Sequence, residues 1–489
     1  MELDRRTVLR LAGAVPVLAA APALLPGHGG GDEWERLRAR LSGTLFRPGE
    51  PGYDEARLGF FSLYDHRLPA GIAVCANEDD VRRCVDFAAR HHVPIAARSG
   101  GHGYAGYSIV DRGLIVDLSR LNTIGIVAGG RATIGAGAVL GQVYEALAAA
   151  GRALPAGSCP QVGIAGLTLG GGIGVLGRKY GLTCDNLESV RFVGADGKLR
   201  LVSAETAPDL LWALRGGGGG NFGIVTSFTF RTAAARTLTN FALTFPPAVL
   251  ADLVAAWQEW QPAMPDELWS GMGLGSDAVN CGGCFVGRAA QLNPLLDDLV
   301  RRVGTEPLTR EVTEQGHLAT MRAFADQVEF PAAVDQRGEY VATSRMLTHP
   351  VPDPDALASL LTSDPHLYSI VDAYGGAIAR MPSSESCFPH RSALGSIQIT
   401  RGLDGGETKA RQVIGRVRDE LGREYGQAGY VNYIDPEMPD WAKAYYGDSL
   451  PRLRRVARKY DPDGLFAFEQ GLARWIPGSG CAPDHPVDC

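Results

Sequence analysis

The stretch "AARSGGHGYAGYS", Ala96–Ser108, sets a histidine inside a run of glycines, directly after Arg98 and Ser99. A loop this bare of side chains lets backbone N–H groups close on an anion. Gly100 and Gly101 are placed to do so against a pyrophosphate, with Arg98 adding positive charge nearby. His102 then stands at the loop's centre, where it either reaches a ligand or merely completes a turn. Just upstream, Pro94 opens a short apolar strand to Ala97, and Asn77 is positioned to cap a helix whose apolar face is Val81, Cys84, Val85 and Ala88. Downstream, "LIVDLSRL" at 114–121 reads as another buried strand.

Short strands and helices go on alternating to "GNFGIVTSFTFRT", Gly220–Thr232, which ends in a period-two strand. Residues 40–235 therefore read as one α+β unit. Composition shifts near Phe241. Residues 236–425 mix helical stretches, Val249–Trp260 and Glu407–Leu421, with alternating strands such as "SALGSIQIT" at 392–400, and hold no anion loop. That part reads as a substrate-facing domain. The remainder, 426–476, is aromatic-rich and ends in a helix and a Pro-Asp-Gly turn.

A chain of 489 residues is too long for one ordinary core, in keeping with this division. Its net charge of −7 and lack of any recurring basic block argue against nucleic acid and for a small, neutral substrate. Residues 1–27 read as a leader. Arg5 and Arg6 precede an apolar stretch, Leu11–Leu25, that Pro16 and Pro22 break and that is too short for a confident membrane span. Twin arginines point to secretion of an already folded protein. Of the nine cysteines, an odd number, at least one stays unpaired if the rest form disulfides. "CGGC" at 281–284 has no second Cys-x-x-Cys to complete a metal site, so it reads as a plain turn or a local disulfide, and no metal is expected.

Two further segments are glycine-rich. "IGAGAVLGQ" at 134–142 mimics a dinucleotide fingerprint, but no acidic residue lies between Glu145 and Asp185 to bind a ribose, so that reading fails. "GSCPQVGIAGLTLGGGIGVLGRKYGLTCDN", Gly157–Asn186, sets Cys159 before a series of glycines through which a flat ligand reaches the backbone.

Together, "RSGGHGY", "GSCPQVGIAGLTLGGGIG", "GGGGGNFGIV" at 216–225 and "YVNY" at 430–433 resemble the berberine-bridge-enzyme-like flavoprotein oxidases of the vanillyl-alcohol-oxidase superfamily, in the family's motif order from about residue 40 to 475. The resemblance implies a PCMH-type FAD-binding domain of two α/β subdomains completed by the C-terminal segment, and an α+β substrate domain with an antiparallel sheet. It implies FAD bonded at its 8α carbon to His102 and at carbon 6 to Cys159. By motif position the cofactor's neighbours are Arg98, Ser99, Gly100, Gly101, Val162, Gly163, Gly166, Gly170, Gly171, Gly174, Gly223, Val225, Tyr430 and Asn432. Asn432 is expected to bond the flavin's pyrimidine side, and Val162 to leave room for O2. Leu167 stands where many members have histidine.

An alcohol-oxidising flavin site needs a base for the hydroxyl proton. The resemblance assigns that role to Tyr433, with Tyr374 in "DAYGGAI" as a second catalytic tyrosine and Asp372 as a weaker alternative. An unperturbed tyrosine is a poor base at neutral pH, so its surroundings must favour the phenolate. "GDSL" at 447–450 spells an esterase signature but falls late in the chain, in a polar segment, with the wrong context for one. The expected activity is oxidation of an alcohol or hemiacetal of a natural product or carbohydrate, with O2 reduced to H2O2. The alternatives are an oxidative cyclase on the same flavin and a non-catalytic secreted flavin carrier.

Overall fold

The computed structural model describes residues 30–276, 279–327 and 337–473. The leader expected at 1–27, with Arg5 and Arg6, lies outside the described residues, as do Cys481 and Cys489.

The first sheet sets strands Thr44–Phe46, Gly71–Val74, Leu114–Asp117 and Ile95–Arg98 side by side in that order. The last three run parallel. Leu114–Asp117 is buried along its whole length, as a parallel strand covered on both faces must be. Helix Glu78–His91 starts where expected: the Asn77 side chain accepts the Asp80 N–H at 3.0 Å, and Val81, Cys84, Val85 and Ala88 are buried.

A second sheet orders Ile124–Val127, Arg131–Gly135, Ile224–Arg231, Leu187–Val193 and Leu199–Ser203, antiparallel throughout. The fingerprint mimic lies here, between strand Arg131–Gly135 and helix Leu140–Ala149. An antiparallel sheet supplies no βαβ crossover to carry a dinucleotide, which agrees with rejecting that reading.

The third sheet is antiparallel and seven-stranded, in the order Thr309–Gly316, Thr237–Phe245, Val279–Phe285, Leu268–Gly275, Leu367–Ala373, Gly395–Gly402, Tyr340–Leu347. Helices Leu250–Ala263, Ala289–Val303, Pro354–Leu361 and Glu407–Tyr425 pack against it. The indole of Trp257, on the first of these, donates to Ser270 Oγ at 2.7 Å, so Ser270 faces the helices and its neighbours Trp269 and Gly271 face the other way. That other face looks onto the glycine loops.

"CGGC" is neither a turn nor a disulfide. It is the middle of strand Val279–Phe285, where Cys281 and Cys284, three apart, lie on opposite faces. Both are free, as are the other cysteines among the described residues. "GDSL" forms the short turn Gly447–Ser449 leading into helix Leu450–Tyr460. The C-terminal segment returns to the glycine-rich half, where the Leu472 N–H donates to Asn221 Oδ1 at 2.9 Å.

The two glycine motifs touch through their backbones. A β-carbon at Gly100 would lie 2.4 Å from Gly163 N, and one at Gly163 would lie 2.2 Å from Ser99 Oγ and 2.3 Å from Gly100 N. Gly163 has φ −71°, open to any residue, so only the close approach demands glycine there. Gly163→Ala is expected to cost about 1–3 kcal/mol by overpacking. A melting temperature equal to that of the unsubstituted protein would show that the loops part without penalty.

Candidate active site

Between the two glycine motifs and the open face of the third sheet lies a cavity of about 1470 Å³. Sites for drug-sized ligands run to roughly 1,000 Å³, so this one accommodates a dinucleotide together with a substrate. Ser99, Gly100, Gly101, His102, Cys159, Val162, Gly163, Gly166, Gly174, Gly223, Val225, Tyr430, Asn432 and Tyr433, all singled out from the sequence, line it together.

The residues fit a bound FAD on three counts. The N–H groups of Gly100, Gly101, His102 and Gly103 donate to no protein acceptor among the described residues, which leaves an anion-ready loop. A β-carbon at Gly103 or Gly166 would meet nothing within 4 Å, so bare backbone faces open space there. The buried Ser108 hydroxyl, on the cavity wall, has no partner among the described residues.

His102 stacks on Phe60 with centroids 3.9 Å apart, and burial pushes its pKa down to about 4. The ring is therefore neutral at neutral pH and holds a free lone pair, which alkylation requires. Burial pushes the Cys159 thiol up to about 11, so it stays protonated until a base acts on it.

Asn432 has a structural duty. Its Nδ2 donates to Leu167 O and to the Tyr430 hydroxyl, each at 2.9 Å, and that hydroxyl also accepts the Gly172 N–H at 2.8 Å. "YVNY" thus clamps the end of the second glycine motif through the Leu167 backbone, which needs no histidine side chain.

Four positions differ from expectation. Arg98 lies behind its loop, not on the cavity wall. Its guanidinium pairs with Asp117 at 2.8 Å and donates to the carbonyls of Leu58 and Ala56, so little of its charge is left for a pyrophosphate. Gly170 and Gly171 serve packing: a β-carbon on the first would collide with Asn432, and one on the second, at φ 130°, would crowd Phe388 and Tyr430. Tyr374 does not itself line the cavity; it is buried in a cluster with Ile173, Leu182, Cys184, Phe388 and Tyr430, against which Tyr433 packs. It follows the end of strand Leu367–Ala373, where the chain turns away from the sheet.

The carboxylate that this strand presents to the cavity is Asp372. The Tyr433 hydroxyl donates to Asp372 Oδ2 at 3.2 Å. Burial, with no cation acting on it, raises the Asp372 carboxyl to about 6, the Tyr433 bond pulling the other way. Tyr433 stacks parallel to Tyr104 at 5.9 Å and meets Tyr430 edge-on at 4.9 Å. Gln398 Nε2 donates to the Tyr104 hydroxyl. Burial first, and then Asp372 and the neighbouring phenols, push Tyr433 well above the ordinary tyrosine range. The surroundings therefore do not favour a phenolate, contrary to expectation; they supply a carboxylate beside the phenol.

Tyr104 and Gln398 are additions to the expected set. Tyr104 was legible as the next aromatic of "GGHGY", whereas Gln398 emerges only from the register that sets it opposite Ile370, two residues before Asp372.

Among the described residues no helix is long and apolar enough to cross a membrane, and no cluster of three or more His, Cys, Asp or Glu side chains could hold a metal ion. Residues 69–203 match the family model described as FAD binding domain, and residues 429–473 the model described as berberine and berberine like. An FAD-linked oxidoreductase of Bacillus subtilis (strain 168) is 34% identical over 89% of this chain and 98% of its own. A chitooligosaccharide oxidase of Gibberella zeae is 30% identical over 84% of this chain and 89% of its own. Among solved structures, Physcomitrella patens BBE-like 1 superposes with a TM-score of 0.85 at 30% identity, covering 90% of this chain and 98% of that one. The sheets, the cavity and these likenesses agree: the chain belongs to the berberine-bridge-enzyme-like FAD-linked oxidases of the PCMH type and is an FAD-dependent oxidoreductase.

Proposed function

We propose that the protein is a secreted oxidase that takes a hydride from an alcohol or hemiacetal carbon of a natural product or carbohydrate and returns the electrons to O2. The observation that carries this reading is the hydrogen-bonded pair of Tyr433 and Asp372 on the cavity wall. When bound, FAD supplies the hydride acceptor and passes two electrons to O2, giving H2O2.

The chain's residues handle the proton. As the substrate C–H bond breaks and its hydroxyl becomes a carbonyl, Tyr433 takes the hydroxyl proton and gives its own to Asp372 Oδ2. A phenol with a raised pKa is a poor base alone, but a carboxylate with a pKa of about 6 accepts its proton near neutrality. Gln398 and Tyr104 hold the stacked phenols in register. Relatives that are oxidases of chitooligosaccharides and xylooligosaccharides support an oxidase. Val162, on the wall beside Cys159, is the residue assigned to leave space for O2.

In the same reading the cofactor is tethered at both His102 and Cys159. Two tethers hold the flavin without a closed lid, and they keep it attached through export directed by Arg5 and Arg6.

Anaerobic flavin reduction by a substrate is expected to slow at least tenfold in Tyr433→Phe and by about 10²-fold in Asp372→Asn, within the range of general-base effects. In the unsubstituted protein the rate falls as pH drops through about 6, because protonated Asp372 no longer accepts; above that it is flat. The acidic limb disappears in Asp372→Asn. Unchanged reduction in both variants would remove the pair from the mechanism.

Peptide mapping of the denatured protein should find flavin on both the His102 and the Cys159 peptides. Cys159→Ala leaves it on His102 alone, and release of all flavin from the unsubstituted protein refutes the tethers. Replacing Arg5 and Arg6 by lysine should abolish secretion, measured as protein in the medium.

A further inference from the structure

The helices against the two faces of the seven-stranded sheet are held in different ways. On one face, helix Ala289–Val303 buries Leu292, Leu296, Leu299, Val300 and Val303, a stripe that is apolar throughout. On the cavity face, helix His317–Gln327 buries His317, Thr320, Met321 and Phe324, so half of its stripe is polar. Those polar groups have nothing to bond. Both ring nitrogens of His317 and the Thr320 hydroxyl are buried without a partner among the described residues.

The sheet beneath repeats the pattern. Asn240, Cys284 and Trp269 stand opposite one another on three adjacent strands, and residues so paired share a face. Trp269 meets Phe324 edge-to-face at 6.3 Å, so this row faces the helix. The row spans about 10 Å at the usual strand spacing. Asn240 Oδ1 and Trp269 Nε1–H, at its two ends, are also buried without a partner among the described residues. Buried polar atoms are ordinarily bonded, and each one left alone costs its lost hydration. Lifting the helix returns water to the whole seam, which offsets part of the apolar contact given up.

The helix is also lightly tied. Gly316, the last residue of strand Thr309–Gly316, joins it with no intervening loop, and a β-carbon there would meet nothing within 4 Å. Toward helix Leu140–Ala149 it makes an exposed ion pair, Arg322 to Glu145 at 3.1 Å, and sets the His317 ring edge-on to Tyr144 at 5.8 Å. An exposed pair of this kind holds little. Leu318, Met321, Phe324 and Ala325 meanwhile form part of the cavity wall. We propose that helix His317–Gln327 is a hinged cover, which lifts from the sheet about Gly316 and opens that wall of the cavity while the rest of the fold stays intact. The same opening serves any ligand, so the proposal does not depend on the oxidase reading.

Cys284 reports the motion. It is fully buried in the row under the helix, whereas Cys281, on the same strand, is fully buried on the opposite face. Iodoacetamide is added to the flavin-loaded protein under native conditions, and alkylation at each cysteine is followed by mass measurement of fragmented peptides. Cys284 is expected to react at least tenfold faster than Cys281, which reacts only on global unfolding. Thr320→Val keeps the shape of the side chain, removes one orphaned group from the closed seam, and should slow Cys284 at least threefold with Cys281 unchanged. Joining Glu145→Cys to Arg322→Cys with a short bismaleimide should bring Cys284 down to the Cys281 rate, while the same two substitutions without the linker should not slow it. Equal rates at Cys284 and Cys281 in the unsubstituted protein overturn the cover. A Cys284 rate that neither Thr320→Val nor the linker lowers overturns it as well.

Discussion

The contact on which the site depends is backbone against backbone. The loop after strand Ile95–Arg98 and the loop after Cys159 approach so closely at Gly100 and Gly163 that neither position has room for a β-carbon. Bringing them together places His102 and Cys159 on one wall and leaves the N–H groups of Gly100, Gly101, His102 and Gly103 without a protein acceptor among the described residues. The clamp from "YVNY" secures the far end of the second loop, because the Tyr430 hydroxyl and the Asn432 amide take up Gly172 N–H and Leu167 O. The C-terminal segment thereby becomes part of a cofactor cradle whose loops were laid down more than 250 residues earlier.

Against that cradle the seven-stranded sheet supplies the other wall, and its strand register assigns the side chains. Asp372 faces the cavity with Ile370, while alternate residues such as Val371 and Ala373 are buried in the core. A single carboxylate buried beside a phenol, with no cation acting on it, has its pKa raised toward neutrality, where a proton acceptor is most useful. The arginines buried nearby are committed elsewhere. Arg391 is held in a bidentate pair with Asp185 at 2.7 and 2.8 Å, and Arg178 donates to the carbonyls of Tyr374 and Met264.

Glycine had two meanings in this sequence, and only one could be read directly. In the loops, runs of glycine next to histidine or cysteine announced close backbone approach. In "CGGC" the same residue type suggested a turn, because two glycines in a strand ordinarily weaken it. The strand persists because neighbours on both sides supply its ladder, and Gly283 is demanded by packing against Trp269 O and the Phe241 ring. Tyr374 was misplaced for a related reason. A motif match fixes a position along the chain but not the direction of a side chain where a strand ends.

The sequence by itself determined the cofactor loops, the order of the α/β and substrate parts, and Tyr433, because these depend on local features: glycine spacing, an N-cap, alternating strands and an ordered set of motifs. Tertiary structure alone decided that Asp372 and not Tyr374 partners Tyr433, and that Arg98 is spent on Asp117. Those outcomes follow from strand register and burial, which depend on residues far apart in the chain and leave no mark at any one position.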